Sequence, residues 1–96
     1  MLFKTIFTNE AEQNVIDLFH WYCEVDFNLG LKFIDEYKTT LKKVSTHPTH
    51  YSFVAPKLRR CHFDKMNCII VYSFKKDIIR ILSIKDARSK PNKNFY

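Results

Sequence analysis

The side chains best suited to binding an anion are concentrated in residues 57–96. This segment carries 11 Lys and Arg against three acids, net +8, whereas residues 1–56 carry five Lys against seven acids, net −2. Such segregation favours a polyanionic partner, either nucleic acid or an acidic protein, over a basic surface without a partner. The residues expected to bind a target are Lys57, Arg59, Arg60, Arg80, Arg88 and Lys90.

Cysteines and histidines show no pattern typical of a metal centre. Cys23, Cys61 and Cys68 contain no CxxC pair, and zinc sites need clustered thiolates or imidazoles. His47 and His50 form the one close histidine pair, in a predicted loop. We therefore expect buried thiols in a reducing compartment and neither a metal site nor a cofactor.

Length and composition predict one cytoplasmic domain. The 96 residues can bury a single modest core, which predicts one domain over residues 1–96. No apolar run approaches the roughly 20 residues of a membrane span, and the N-terminus does not resemble a signal peptide. These two absences predict a protein that stays in the cytoplasm and away from membranes.

The N-terminal half predicts one strand followed by two helices. Leu2–Phe7 is β-branched and aromatic, which is typical of a strand. Apolar residues then recur at helical spacing to about residue 24, with Thr8 or Asn9 as the N-cap. The same spacing returns after Asp26 or Asn28 and continues to residue 45 or 46. Two helices so closely joined form an antiparallel hairpin.

The C-terminal half predicts three strands. Leu58–Phe63, Cys68–Phe74 and Ile78–Ile84 have strand length and composition, and short polar breaks separate them. Residues 47–55 form a polar and aromatic linker. The predicted order is β-α-α-β-β-β, an α+β domain in which the helical hairpin packs on a small twisted antiparallel sheet.

Side-chain alternation assigns faces within this sheet. Both faces of Cys68–Phe74 are apolar, so this strand should be central and covered on both sides. Tyr72 lies on its core face, where we expect its hydroxyl to be hydrogen-bonded. Strict alternation in the last strand places Ser83 on the face opposite Ile84. Arg59 and Arg60 also point to opposite faces, so at most one serves a given site.

Three stretches of the chain share their order and spacing with a known family. They are Leu31–Glu36 running into Val44–Pro48, Leu58–Arg60 followed by Cys68–Tyr72, and Ile81–Pro91. Together they resemble the RelE/ParE superfamily of toxins from type II toxin–antitoxin modules. The resemblance implies the α+β fold, a cytoplasmic toxin and a cognate antitoxin, which we expect to be acidic because the sheet half is basic.

The resemblance implies one of two activities, because both occur on this fold. RelE-like members cleave messenger RNA on the ribosome, whereas ParE-like members are not nucleases and poison DNA gyrase. Arg60 and His62 fall where RelE-like enzymes place paired lysines, and could contact phosphate and transfer a proton. Arg88 matches the basic position after the last strand. These three residues are the candidate catalytic set if the protein is a nuclease.

Two positions favour the ParE-like activity. Ile69 stands where the nucleases carry an arginine, and Asp86 stands where many relatives have a histidine. We therefore expect a ParE-like toxin that binds a protein target, DNA gyrase. A ribosome-dependent mRNA endoribonuclease is the alternative, and a non-toxic nucleic-acid-binding domain is a second alternative.

Overall fold

The computed structural model describes residues 3–87, which form two helices and a five-stranded sheet. The elements in chain order are β1 (Lys4–Phe7), α1 (Asn9–Val25), α2 (Phe27–Thr46), β2 (Phe53–Ala55), β3 (Leu58–His62), β4 (Cys68–Lys75) and β5 (Ile78–Asp86). The strand order across the sheet is β1-β5-β4-β3-β2. The predicted β-α-α-β-β-β order is confirmed, and β2 is an additional short strand within the predicted linker.

Two polar side chains fix where the helices begin. Thr8 is the N-cap of α1, and its hydroxyl oxygen accepts a hydrogen bond of 3.0 Å from the Ala11 N–H. Asp26 caps α2 by accepting from the Asn28 N–H at 2.8 Å, while its own N–H donates to the Tyr22 carbonyl at the end of α1. One aspartate therefore ends the first helix and starts the second.

The sheet is antiparallel except at one edge. β3, β4 and β5 form the predicted meander, and β2 pairs antiparallel with β3. β1 runs parallel to β5, with Lys4 opposite Ile78 and Phe7 opposite Ile81. Parallel neighbours need a long crossover between them, and nearly the whole chain separates these two strands. The fully antiparallel sheet expected from the sequence is therefore a mixed sheet.

A β-bulge in β5 changes the predicted alternation. Tyr72 on β4 lies opposite Ile81, whereas the neighbouring Val71 lies opposite Ser83, so Leu82 is the extra residue. Beyond the bulge the two faces of β5 are exchanged. Ile84 consequently joins the core cluster below the helices, and Ser83 shares the opposite face with Val71. Strict alternation predicted the reverse placement, because a bulge leaves no clear trace in apolar periodicity.

The core lies between the helical hairpin and the sheet. Phe33 of α2 is fully buried, and its ring centroid is 5.4 Å from that of Tyr22, 6.2 Å from Tyr37 and 5.8 Å from Phe63. Cys68–Tyr72 of β4 is buried at every position, as predicted for a central strand. The buried Tyr72 hydroxyl donates a 2.7 Å hydrogen bond to the Pro48 carbonyl, which confirms its core assignment.

Candidate functional site

Arg60 and His62 lie on the face of the sheet that points away from the helices, called here the outer face. They alternate with the buried Cys61, which belongs to the core cluster. Their partners across the ladder are Val71 and Ile69, both buried, whereas Arg60 and His62 are exposed. The structure therefore brings these two members of the candidate catalytic set together.

A cavity of about 420 Å³ opens beside this pair, called here the β3 cavity. It is lined by Lys43, His50, Tyr51, Ser52, Arg60, Cys61, His62 and Asp64. No pattern in the sequence placed Lys43 or His50 in a site with Arg60 and His62. Lys43 comes from the end of α2 and His50 from the loop after it, so only tertiary packing brings them to β3.

Electrostatics in the β3 cavity favours anion binding over nucleophilic chemistry. Lys43 forms an ion pair with Asp64, and this hydrogen bond raises the pKa of the Lys43 ammonium. Burial raises the pKa of the Cys61 thiol, so it remains protonated and weakly nucleophilic at neutral pH. The side chains left to meet an anion are Arg60, His62 and His50, and the histidines can also transfer a proton.

Arg59 has a different environment from Arg60, as the alternation predicted. Its guanidinium donates hydrogen bonds to the carbonyls of Thr49 at 3.2 Å and Tyr51 at 2.7 Å. It also lies 3.9 Å from the ring centroid of Phe53. Arg59 therefore ties the loop after α2 and the edge strand β2 to β3, and its expected part in target binding remains a prediction.

A second concave region lies where the β2–β3 and β4–β5 hairpins meet, called here the hairpin groove. Its volume is about 530 Å³, and it is lined by Phe53, Lys57, Arg59, Ser73, Phe74 and Lys75. Lys57, in the turn between β2 and β3, has a φ of 67°. Lys76 and Asp77, in the turn between β4 and β5, have φ values of 52° and 63°.

The expected target-binding residues do not form one cluster. Lys57 and Arg59 line the hairpin groove, and Arg60 lines the β3 cavity. Arg80 is exposed on the outer face of β5, opposite Ser73. Arg88 and Lys90 lie outside the described residues. Basic side chains are thus distributed along the outer face and the hairpin end of the sheet.

The two positions that argued against a nuclease are structural residues. Ile69 is buried in β4. The Asp86 carboxylate accepts a 3.2 Å hydrogen bond from the Tyr22 hydroxyl, which also lies 3.2 Å from the Cys68 sulfur. Burial raises the pKa of Tyr22, which keeps its hydroxyl protonated as a donor. Asp86 thereby joins the end of β5 to α1.

Among residues 3–87, no group of three or more His, Cys, Asp or Glu side chains is placed to hold a metal ion. In the same part of the chain, neither helix has the length and apolar character required to cross a membrane.

The family comparison identifies the family of this chain, and the structural comparison shows its fold. The chain matches the family described as the ParE toxin of type II toxin–antitoxin system, parDE, over residues 5–91, and it belongs to this family. A chain in the solved structure "Chromosomal ParDE TA system from P. aeruginosa" superposes with a TM-score of 0.79 at 14% identity. That alignment covers 91% of this chain and 98% of the other, and shows a shared fold. No curated protein matches the sequence significantly.

The predicted membership of the RelE/ParE superfamily is thereby confirmed, and the chain belongs with its ParE-like members. The protein is a ParE-like toxin of a type II toxin–antitoxin system, and membership of this family implies an antitoxin partner.

Proposed function

We propose that this toxin acts in the cytoplasm by binding DNA gyrase and trapping it on broken DNA, and that an acidic antitoxin neutralises it. The observation that supports this proposal is the structural use of Ile69 and Asp86. A nuclease needs cationic or titratable groups at these positions to stabilise charge on a reacting phosphate.

Ile69 cannot supply such a group, because its side chain is apolar and is buried on the outer face of the sheet, opposite His62. Asp86 is held by the Tyr22 hydroxyl, so its carboxylate stabilises the join between β5 and α1. Both positions therefore serve the fold, which favours a toxin that works by docking to a protein.

A ribosome-dependent mRNA endoribonuclease is the second candidate, and the β3 cavity is the observation in its favour. Arg60 could hold the phosphate there, while His62 or His50 moves a proton. Arg88 is the third residue of this hypothesis. In that mechanism His62→Ala and Arg88→Ala would each abolish cuts within codons, as measured by primer extension on induced transcripts.

Induced expression in bacterial cells separates the two functions. We expect DNA breaks covalently linked to gyrase, while pulse labelling shows that translation continues during the first minutes. The single variant His62→Ala should arrest growth as the original chain does, since His62 is not among the residues expected to bind the target and its side chain lies outside the buried core. Early cleavage of ribosome-bound messages, lost in His62→Ala, would instead establish the nuclease.

A further inference from the structure

We propose that the hairpin groove is the docking site for an acidic peptide segment that carries an apolar anchor residue. The groove combines exposed aromatic surface with cations, and it borders an open strand edge. A segment of a partner protein with carboxylates on either side of an apolar side chain matches all three features.

The apolar part of the groove is provided by two phenylalanines. Phe53 is 59% exposed although it lies on a strand, and Arg59 covers one face of its ring. Phe74 is half-buried and makes an edge contact with Phe3, which holds its ring in place with centroids 5.0 Å apart. An aromatic ring left this exposed and held by a cation is a preformed surface for an apolar anchor.

The charge around the groove is positive. Lys57 and Lys75 are exposed and line it, and among residues 3–87 no acidic side chain lines it. Asp77 follows in the adjacent turn but does not line the groove. One guanidinium nitrogen of Arg59 already donates to two backbone carbonyls and Arg59 is only partly exposed, so Lys57 and Lys75 are the more accessible cations of the groove. Two lysines suit one or two carboxylates, whereas a nucleic-acid backbone presents a long row of phosphates.

The strand edge beside the groove favours a peptide over nucleic acid. The ladder between β3 and β4 extends from His62–Ile69 to Arg59–Tyr72. Within residues 3–87, the last part of β4, from Ser73 to Lys75, pairs with β5 only. Its second edge is therefore available to the backbone of an extended segment, which a nucleic acid cannot use in this way.

The backbone at the rim adopts left-handed φ values at three residues that carry side chains. Lys57 has a left-handed φ, a conformation that glycine or asparagine adopts at lower cost. Lys76 and Asp77 adopt left-handed values in the neighbouring turn. These values are typical of tight turns, which hold the ends of the two hairpins beside the groove.

This inference rests on the proposed function only for the identity of the partner, because the antitoxin is the acidic protein expected to supply the segment. Binding of a peptide to the groove can be measured without gyrase and without the antitoxin.

The test uses the purified full chain and a fluorescein-labelled peptide of alternating Glu and Leu, with fluorescence anisotropy as the readout. A peptide with Gln in place of each Glu and an oligothymidylate of equal charge are the comparison ligands. The acidic peptide should bind roughly tenfold more tightly than the Gln peptide, as expected when charge-assisted contacts are lost. Lys57→Glu/Lys75→Glu should remove that preference, and Phe53→Ser should weaken binding of both peptides.

Lys38→Glu on the exposed face of α2 is the matched control, and it should leave the affinity within about twofold, because Lys38 does not line the groove and salt screens exposed charges. Lys57→Gln/Lys75→Gln repeats the test with a smaller charge change, and circular dichroism confirms folding.

Equal affinity for the two peptides, or an equal loss in Lys38→Glu, would overturn the proposal. Tighter, lysine-dependent binding of oligothymidylate would assign the groove to nucleic acid instead. A chain that binds the acidic peptide yet traps no gyrase contradicts the proposed target alone.

Discussion

Polar and aromatic side chains are buried on one side of the sheet and exposed on the other. On the helix side, buried polar groups are hydrogen-bonded: the Thr40 hydroxyl donates to the Glu36 carbonyl, the Glu36 carboxylate accepts from the Lys65 N–H, and Tyr72 donates to Pro48. Within residues 3–87, no buried side-chain nitrogen or oxygen lacks a partner. The outer face and hairpin end instead expose cations and an aromatic ring. The helix side therefore holds the hydrogen-bonded core, whereas the exposed cations and the exposed ring elsewhere are available for recognition.

Two phenylalanines give the largest expected contrast between these regions. Phe33→Ala should lower the free energy of unfolding by about 3–5 kcal/mol, because it removes the centre of a buried ring cluster. Phe53→Ala should cost no more than about 1 kcal/mol, since it loses a cation–π contact at an exposed site. Urea unfolding followed by circular dichroism measures both. Equal losses would show that Phe53 belongs to the core.

The contact between the helices gives the next largest effect. A Cβ atom at Gly30 would lie within van der Waals overlap of the Cys23 sulfur, so α1 and α2 approach closely there. Gly30→Val should destabilise the protein by about 1–3 kcal/mol through overpacking. Cys23→Ala in the same chain should recover part of this loss, as a double-mutant cycle would show. Additive effects of the two substitutions would contradict the close approach.

Tyr72 tests whether the loop after α2 depends on a buried hydrogen bond. Tyr72→Phe keeps the ring but leaves the Pro48 carbonyl without its 2.7 Å donor. The expected cost is about 1–3 kcal/mol, the usual penalty for an unsatisfied buried acceptor. The same variant should also show faster hydrogen exchange in residues 47–52. A loss below about 0.5 kcal/mol would mean that water replaces the hydroxyl.

Alkaline pH should lower the free energy of unfolding gradually, by a smaller amount, through a buried tyrosine on the helix side. Burial raises the pKa of Tyr37 from 10.0 to about 12, so the folded chain retains a proton that the unfolded chain releases above pH 10. The stabilisation that comes from burying the protonated Tyr37 hydroxyl is therefore fully present below pH 10 and is lost as pH rises through about 12. Urea unfolding between about pH 9 and pH 11 should show a shallower decline in Tyr37→Phe than in the original chain. Identical declines would contradict burial as the cause.

Much of the fold could be predicted because local patterns specify it. Helical periodicity and the caps at Thr8 and Asp26 define the hairpin, and apolar runs define the meander. Phe53–Ala55 was not predicted, because three residues are too few for a periodic signal and the strand forms by pairing with β3. The parallel pairing of β1 and the bulge at Leu82 arise from long-range contacts. Nothing in local alternation reports either feature.

The candidate site was less predictable than the fold. The adjacency of Arg59 and Arg60 was enough to predict that they face different ways. It could not show that Arg59 donates hydrogen bonds to the carbonyls of Thr49 and Tyr51. Nor could it show that His50 lines the cavity beside Arg60. Those placements depend on the path of the loop after α2, which tertiary packing sets. Similarly, the hairpin groove exists only because two turns distant in sequence meet.

The choice between a gyrase-docking toxin and a nuclease can be decided with purified components. The full chain is incubated with gyrase, plasmid and ATP, and in parallel with ribosomes carrying a defined message. We expect linear plasmid after protein digestion and an intact message, with the same outcome for His62→Ala. Cleavage of the message by the original chain, lost in His62→Ala and accompanied by intact plasmid, would contradict the assignment of this toxin to gyrase.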